Sequence, residues 1–159
     1  MKIIAPLFII GILLVYNLLS DPASQEVPYD LKELNGPYSV ERVVDGDTFI
    51  AEVEGERTRI RMLGIDTPES VADHPERITE EGLVASDYTK QLLEGALVFL
   101  EYDVEKMDRY NRLLAYVYIK DGNNYVMINR LLVEEGYAVP YIIEPNTRYA
   151  ALLESAEQR

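Results

Sequence analysis

From residue 38 onward the apolar positions recur every second residue, and the pattern breaks at well-defined points. "YSVERVVDGDTFIAEV" reads as a strand, a turn at Asp45-Gly46 and a second strand. "ERTRIRMLGI" follows as a third, with Arg57, Arg59 and Arg61 on one face and Thr58, Ile60 and Met62 on the other. The period then changes. "EEGLVASDYTKQLLEG" sets Leu83, Val84, Tyr88 (with Ala85), Leu92 and Leu93 at helical spacing and stops at Gly95, which suits a C-terminal cap. "ALVFLEYDV" and "RLLAYVYI" return to strand pattern, and Asp121-Gly122 makes the next turn. A short helix over "INRLLVEEG" ends at Gly136, and a last one from Asn146 or Thr147 carries Tyr149, Leu152 and Leu153 inward. Three strands, a helix, two strands and two helices predict a mainly β fold with α (α+β). The small barrel this fits is the five-stranded OB-fold with three helices.

The chain before that pattern is different in kind. Ile3 to Leu19 is a run of 17 uncharged residues after a single Lys2. A secretory apolar region runs to about 15 residues and a spanning helix needs at least about 17, so residues 1–20 read as a signal peptide or a membrane anchor. Small residues follow at Ser20, Ala23 and Ser24, but Asp21 and Pro22 crowd each possible cut. Either reading sends the remainder across a membrane, secreted or anchored through residues 3–19 to the outer face of the cytoplasmic membrane. Residues 21–37, with Pro22, Pro28, Asn35, Gly36 and Pro37, read as a linker, and 38–159 as one domain. At 159 residues the chain has room for one core and one site.

Charge narrows the chemistry. Setting aside Lys2, Asp21, Glu26 and Asp30 leaves 14 basic and 25 acidic residues, a net charge of −11 on the domain. Such a body repels polyanions at long range. Phosphate chemistry would then depend on a local basic patch and a divalent cation. With no cysteine in the chain, no disulfide adds stability.

Three clusters could hold that patch: "VVDGDTF" at 43–49, "RMLGIDTPE" at 61–69 and "MDRYNRLLAYVY" at 107–118. Each alone reads as an ordinary turn, loop or surface ion pair. Together they offer the Asp47 and Asp66 carboxylates and a Thr67 oxygen, hard ligands suited to Ca²⁺. Arg61 and Arg112 could grip a phosphate with planar forks, and Glu69 could orient or deprotonate a water. Metal, phosphate clamp and base are the parts of a phosphodiester hydrolase.

These residues resemble the staphylococcal nuclease-like, or thermonuclease, family of Ca²⁺-dependent nucleases. "VVDGDT", "RMLGIDTPE", "DRYNRLLAYVY" and "YIIEPN" occur in that family's order, from about Ser39 to Ser155. The resemblance implies Asp47, Asp66 and the Thr67 carbonyl as calcium ligands, Arg61 and Arg112 on the scissile phosphate, and Glu69 as general base. It also implies that Tyr110 and Tyr141 hold the nucleotide. The expected activity is Ca²⁺-dependent endo- or exonuclease action on DNA or RNA with low sequence specificity, leaving 3′-phosphate ends. Single strands are the favoured substrate, because aromatic side chains stack on unpaired bases, and the protein is expected to act as a monomer.

Three departures accompany the resemblance. The family's "YGR" is "YNR" here, so Asn111 must take a backbone that glycine adopts more easily. A second nucleotide-contacting Tyr is Ile143, and the loop "SVADHPERITEEG" is acidic, with His74 as a surface residue in it. The alternative function is a non-catalytic OB-fold module that binds nucleic acid or protein. A tethered structural domain would explain the charge but not the three clusters.

Overall fold

Eight strands and three helices are built from residues 33–71 and 77–158, the residues that the structure, a computed structural model, describes. β1 (Asn35–Asp45), β2 (Thr48–Val53) and β3 (Glu56–Met62) form an antiparallel meander. Two register shifts in β1, between Val40 and Arg42 and between Val43 and Asp45, bend it as bulges do. The bent strand pairs with β2 on one side and with β5 (Leu97–Glu101) on the other. β6 (Leu113–Asp121) lies antiparallel to β5 and then runs parallel to β3, with Ile60 opposite Leu113, Arg61 opposite Leu114 and Met62 opposite Ala115. That last pairing closes a five-stranded barrel with no free edge at the seam. Phe49, Ala51, Ile60, Val98, Leu100, Ala115 and Val117 are fully buried, as inward positions of alternating strands must be.

The barrel and its three helices match the expected fold, with differences at its margins. β1 begins at Asn35, three residues before the expected domain start at Tyr38, because Asn35 already pairs with Leu100 in the β1–β5 ladder. Residues 1–32, with the hydrophobic segment and most of the expected linker, and residues 72–76, with His74, lie outside the described residues. β7 (Asn124–Met127) adds a hairpin strand on β6, and the two-residue strands β4 (Ile65–Asp66) and β8 (Val139–Pro140) pair beside the barrel. All three are too short to show a period.

α1 (Glu80–Leu93) begins where Thr79 caps it, its hydroxyl accepting from the Gly82 N–H at 3.0 Å, and Gly95 takes the left-handed φ of 73° just beyond its end. The buried face carries the small residues Gly82, Ala85, Ser86 and Thr89, while Leu83 and Val84 are about half exposed. Close approach of this helix to the barrel therefore needs small side chains, and the apolar spacing marks its face only in part. α2 (Ile128–Glu134) is almost wholly buried. Its Asn129 accepts from the Val117 N–H and donates to the Leu63 carbonyl, both at 2.8 Å, so one amide locks the helix to β6 and to the chain leaving β3. α3 (Ala150–Ala156) starts later than the expected Asn146 or Thr147. The Asn146 side chain is committed elsewhere: its amide exchanges hydrogen bonds with the backbone of Glu105 at 2.8 and 3.0 Å, so it cannot cap a helix.

Candidate active site

The turn from β1 to β2 supplies two aspartates with different partners. Asp45 is absorbed by structure, its Oδ1 accepting from the N–H groups of Gly46 and Ser70 and from the Ser70 hydroxyl. Asp47 is 5% exposed; its Oδ1 accepts from the Thr48 hydroxyl at 2.9 Å, and its Oδ2 from the Thr67 N–H and hydroxyl at 3.1 and 3.2 Å. The turn can approach Thr67 only because residue 46 is glycine: a Cβ there would sit 2.7 Å from Thr67 Oγ1. Thr89 of α1 holds the turn from below, donating 2.7 Å to the Gly46 carbonyl. Neither Asp45 nor Thr89 stands out in the sequence as part of a site, since a turn aspartate and a helical threonine are common.

Arg61 comes from the end of β3 and is held on both arms of its fork. Nη1 donates to the carbonyls of Met62 and Ile65 at 2.6 and 2.8 Å. Nη2 lies 2.9 Å from Asp66 Oδ1 and 3.2 Å from Asp47 Oδ2, so one nitrogen bridges two carboxylates contributed by different loops. Burial raises the Asp66 carboxyl above its ordinary range, and the nearby Asp47 charge adds to this; Arg61 offsets them only in part. Two carboxylates so placed still lack positive charge. Among the described residues no set of three or more His, Cys, Asp or Glu side chains converges as a metal cage. A cation here would rest on two carboxylates, the Thr67 carbonyl and water, an all-oxygen set that fits Ca²⁺.

Glu69 sits three residues beyond Asp66, half exposed, with Oε1 3.8 Å from Nη2 of Arg77. Its backbone is fixed by the start of α1: the Thr79 N–H donates to the Glu69 carbonyl at 3.0 Å, and a Cβ on Gly82 would fall 2.1 Å from that same oxygen. Gly82 is thus a positioning residue for Glu69, invisible in a sequence where it looks like a weak helix residue. Gly82→Ala is expected to destabilise the chain by about 1–3 kcal/mol through forced displacement. It should also lower turnover more than substrate affinity, which thermal melts and kinetics on the same preparation would show.

Arg112 precedes β6 by one residue, so the β3–β6 seam brings it to the cleft that Arg61 also lines. Asp108 aims it: Asp108 Oδ2 is 2.6 Å from Arg112 Nε, and Oδ1 accepts from the backbone N–H groups of Arg112 and Tyr110, each at 2.9 Å. Asn111 closes this loop at a φ of 61°, the left-handed conformation expected where asparagine replaces glycine. Burial pushes the Asp108 carboxyl up, but the hydrogen bonds from Arg112 and Tyr110 outweigh it and hold the carboxyl below its ordinary range. A depressed folded value stabilises the fold above the unfolded value, and the gain is lost as pH falls through the folded one. Asp108→Asn should therefore melt lower than wild type at pH 7, with the gap closing as pH drops below about 4. A gap that stays constant to pH 2 would contradict this.

Tyr110 and Tyr141 are 64% and 52% exposed, and the Arg109 and Arg112 guanidinium carbons lie 4.7 and 5.5 Å from the Tyr110 ring centre. All eight residues singled out from the sequence, Asp47, Arg61, Asp66, Thr67, Glu69, Tyr110, Arg112 and Tyr141, line one cleft of about 870 Å³. Ile143, where a further tyrosine was expected, also lines it and is 59% exposed.

Residues 59–159 match the family described as "Staphylococcal nuclease homologue". The chain belongs to that family. This staphylococcal nuclease homologue is 41% identical over 121 residues to a thermonuclease of Staphylococcus intermedius, covering 76% of this chain and 69% of the relative. It is 41% identical over 122 residues to a thermonuclease of Staphylococcus hyicus, covering 77% and 69%. It is also 37% identical over 113 residues to endonuclease YncB of Bacillus subtilis, covering 70% of this chain and 51% of the relative. In this family member Asp47 precedes the matched stretch, and the turn that carries it reaches the cleft through the β2–β3 pairing of Thr48 with Arg61.

Proposed function

We propose that this chain is a nuclease that uses Ca²⁺ to hydrolyse phosphodiester bonds of DNA or RNA with little sequence specificity, leaving 3′-phosphate ends. The observation that carries this reading is the bridge of Arg61 Nη2 between Asp47 and Asp66, in a cleft that Glu69 and Arg112 also line. Family membership and the nuclease names of the relatives support the same activity. A non-catalytic module would have no use for two carboxylates held by one arginine, a costly arrangement where the arginine and Asp47 are largely buried.

Asp47, Asp66 and the Thr67 carbonyl would hold the Ca²⁺, which when bound supplies positive charge to a phosphate oxygen. Arg112 and the Nε–H of Arg61, the donor that its four fork contacts leave over, donate to the equatorial oxygens, where charge grows in the transition state, so their contribution is to kcat more than to KM. Glu69 accepts the proton of the attacking water. The 5′-oxygen leaves and takes its proton from solvent, because an arginine cannot readily give one up. Exposed Tyr110 and Tyr141 rings favour unpaired bases, and every group in the scheme comes from one chain, in keeping with a monomer. The run from Ile3 to Leu19 supports placement outside the cytoplasmic membrane, secreted or anchored; among the described residues no helix is long and apolar enough to cross one.

The test is incubation of the protein with single-stranded DNA and RNA in Ca²⁺ or in chelator, beside an Arg61→Ala variant. Cutting that needs Ca²⁺ and Arg61 is the expected result. Equal cutting in chelator, or by the variant, would sink the mechanism. Binding without cutting at any neutral to alkaline pH would favour the non-catalytic module.

A further inference from the structure

The body is strongly acidic, and the arginines of the described residues are mostly committed to carboxylates: Arg57 to Glu41, Arg61 to Asp47 and Asp66, Arg112 to Asp108, Arg130 to Glu134 and Arg148 to Glu101. Arg59 differs. Like Arg109 it lines the cleft, is exposed and has no carboxylate within ion-pair distance among the described residues, but Arg109 donates to the Tyr110 hydroxyl at 2.6 Å and lies over that ring, whereas the Arg59 side chain makes no hydrogen bond to a described residue.

Its position follows from the barrel. Strand alternation puts Arg59 on the same face of β3 as Arg61, two residues or about 6.7 Å away. Across the seam Ile60 pairs with Leu113, so the positions just before them, 59 and 112, flank each other. On the other side Arg59 is the ladder partner of Ile50, which is 3% exposed and is also the partner of Arg42. An apolar floor of that kind lets an arginine stem lie flat while its guanidinium stays in water. Arg61 and Arg112 face the bond to be cut, so Arg59 stands beside Arg112 across the seam and two residues before Arg61 on β3.

We propose that Arg59 forms a second phosphate subsite, which takes the phosphodiester next to the scissile one in a single-stranded polynucleotide. The inference rests on the nuclease reading above and deepens it. A planar fork with no internal partner can accept a phosphate without first giving up a carboxylate. The subsite also compensates for the body's charge at the place where a second phosphate must come close. The substrate class is therefore an oligonucleotide with at least two adjoining charged linkages, not a dinucleotide.

The experiment compares wild type, Arg59→Gln and, as a charge-matched control away from the cleft, Lys120→Gln. The probes are single-stranded oligothymidylates, fully charged or with one uncharged methylphosphonate linkage placed next to the cleaved one on either side. Wild type should lose about tenfold in kcat/KM, mostly through KM, when one of those two linkages is neutral, and Arg59→Gln should show no such loss. Equal losses in wild type and Arg59→Gln, or no loss in wild type on either side, would overturn the subsite. Binding of the charged oligomer, followed by fluorescence anisotropy in chelator, keeps this separate from catalysis. The salt dependence, as log Kobs against log salt, should be shallower by about 0.7 for Arg59→Gln and unchanged for Lys120→Gln. An unchanged slope in Arg59→Gln contradicts the subsite whether or not the chain cuts. Absence of cutting by wild type with any divalent ion would count against the nuclease reading alone.

Discussion

Arg61→Ala is expected to lower kcat by about 10³-fold, the scale for removing a donor aimed at charge that develops in the transition state. The same substitution should cost stability in metal-free protein. Arg61 contributes the positive charge between Asp47 and Asp66, at 3.2 and 2.9 Å, and its own side chain is only 12% exposed. Removing one partner of such a buried pair costs about 3–5 kcal/mol, since the Asp47 carboxylate is left uncompensated. Added Ca²⁺ should then raise the melting temperature of Arg61→Ala more than that of wild type, because the ion replaces the missing charge. Arg61→Lys should restore part of the stability and little of the rate: an ammonium supplies charge but not the four contacts the fork makes. Melts in chelator and in Ca²⁺, with steady-state kinetics on the same samples, would show whether charge and fork separate in this way.

Glu69→Gln is the second large effect. Glutamine keeps the shape and the backbone contacts that the Glu69 carbonyl makes with Thr79, but it cannot take a proton. A loss of about 10²–10⁴-fold in kcat with KM little changed is expected for a general base. A variant that keeps its rate, or that loses affinity instead of rate, would move the base elsewhere.

The contrast between these two residues shows what was legible in the sequence. Asp66 and Glu69 follow Arg61 so closely that one loop had to carry them all, and alternation along β3 already put Arg61 opposite the buried Ile60 and Met62. Arg112 could be joined to them only by its chemistry and by resemblance, because the parallel β3–β6 pairing that brings it near is a long-range contact with no local signal. The barrel order was readable from strand and helix periods, since these report which face is buried. The supporting residues were not. Gly82 and Gly46 matter because a Cβ on either would collide with Glu69 or Thr67, and Thr89 through its hydrogen bond to the Gly46 carbonyl, 43 residues away in the chain. Asn146 gave a helix-start signal that its pairing with Glu105 overrides. Local rules fail where a side chain spends its hydrogen bonds on a distant backbone.

Cleavage of a single-stranded DNA oligomer by the full chain in Ca²⁺ and ¹⁸O-labelled water, read by mass spectrometry of the ends, tests the central claim most directly. The account predicts one ¹⁸O in a terminal 3′-phosphate, none in the new 5′-hydroxyl, and no product in chelator. Label in the hydroxyl, an unlabelled phosphate, or the same products without Ca²⁺ would contradict it.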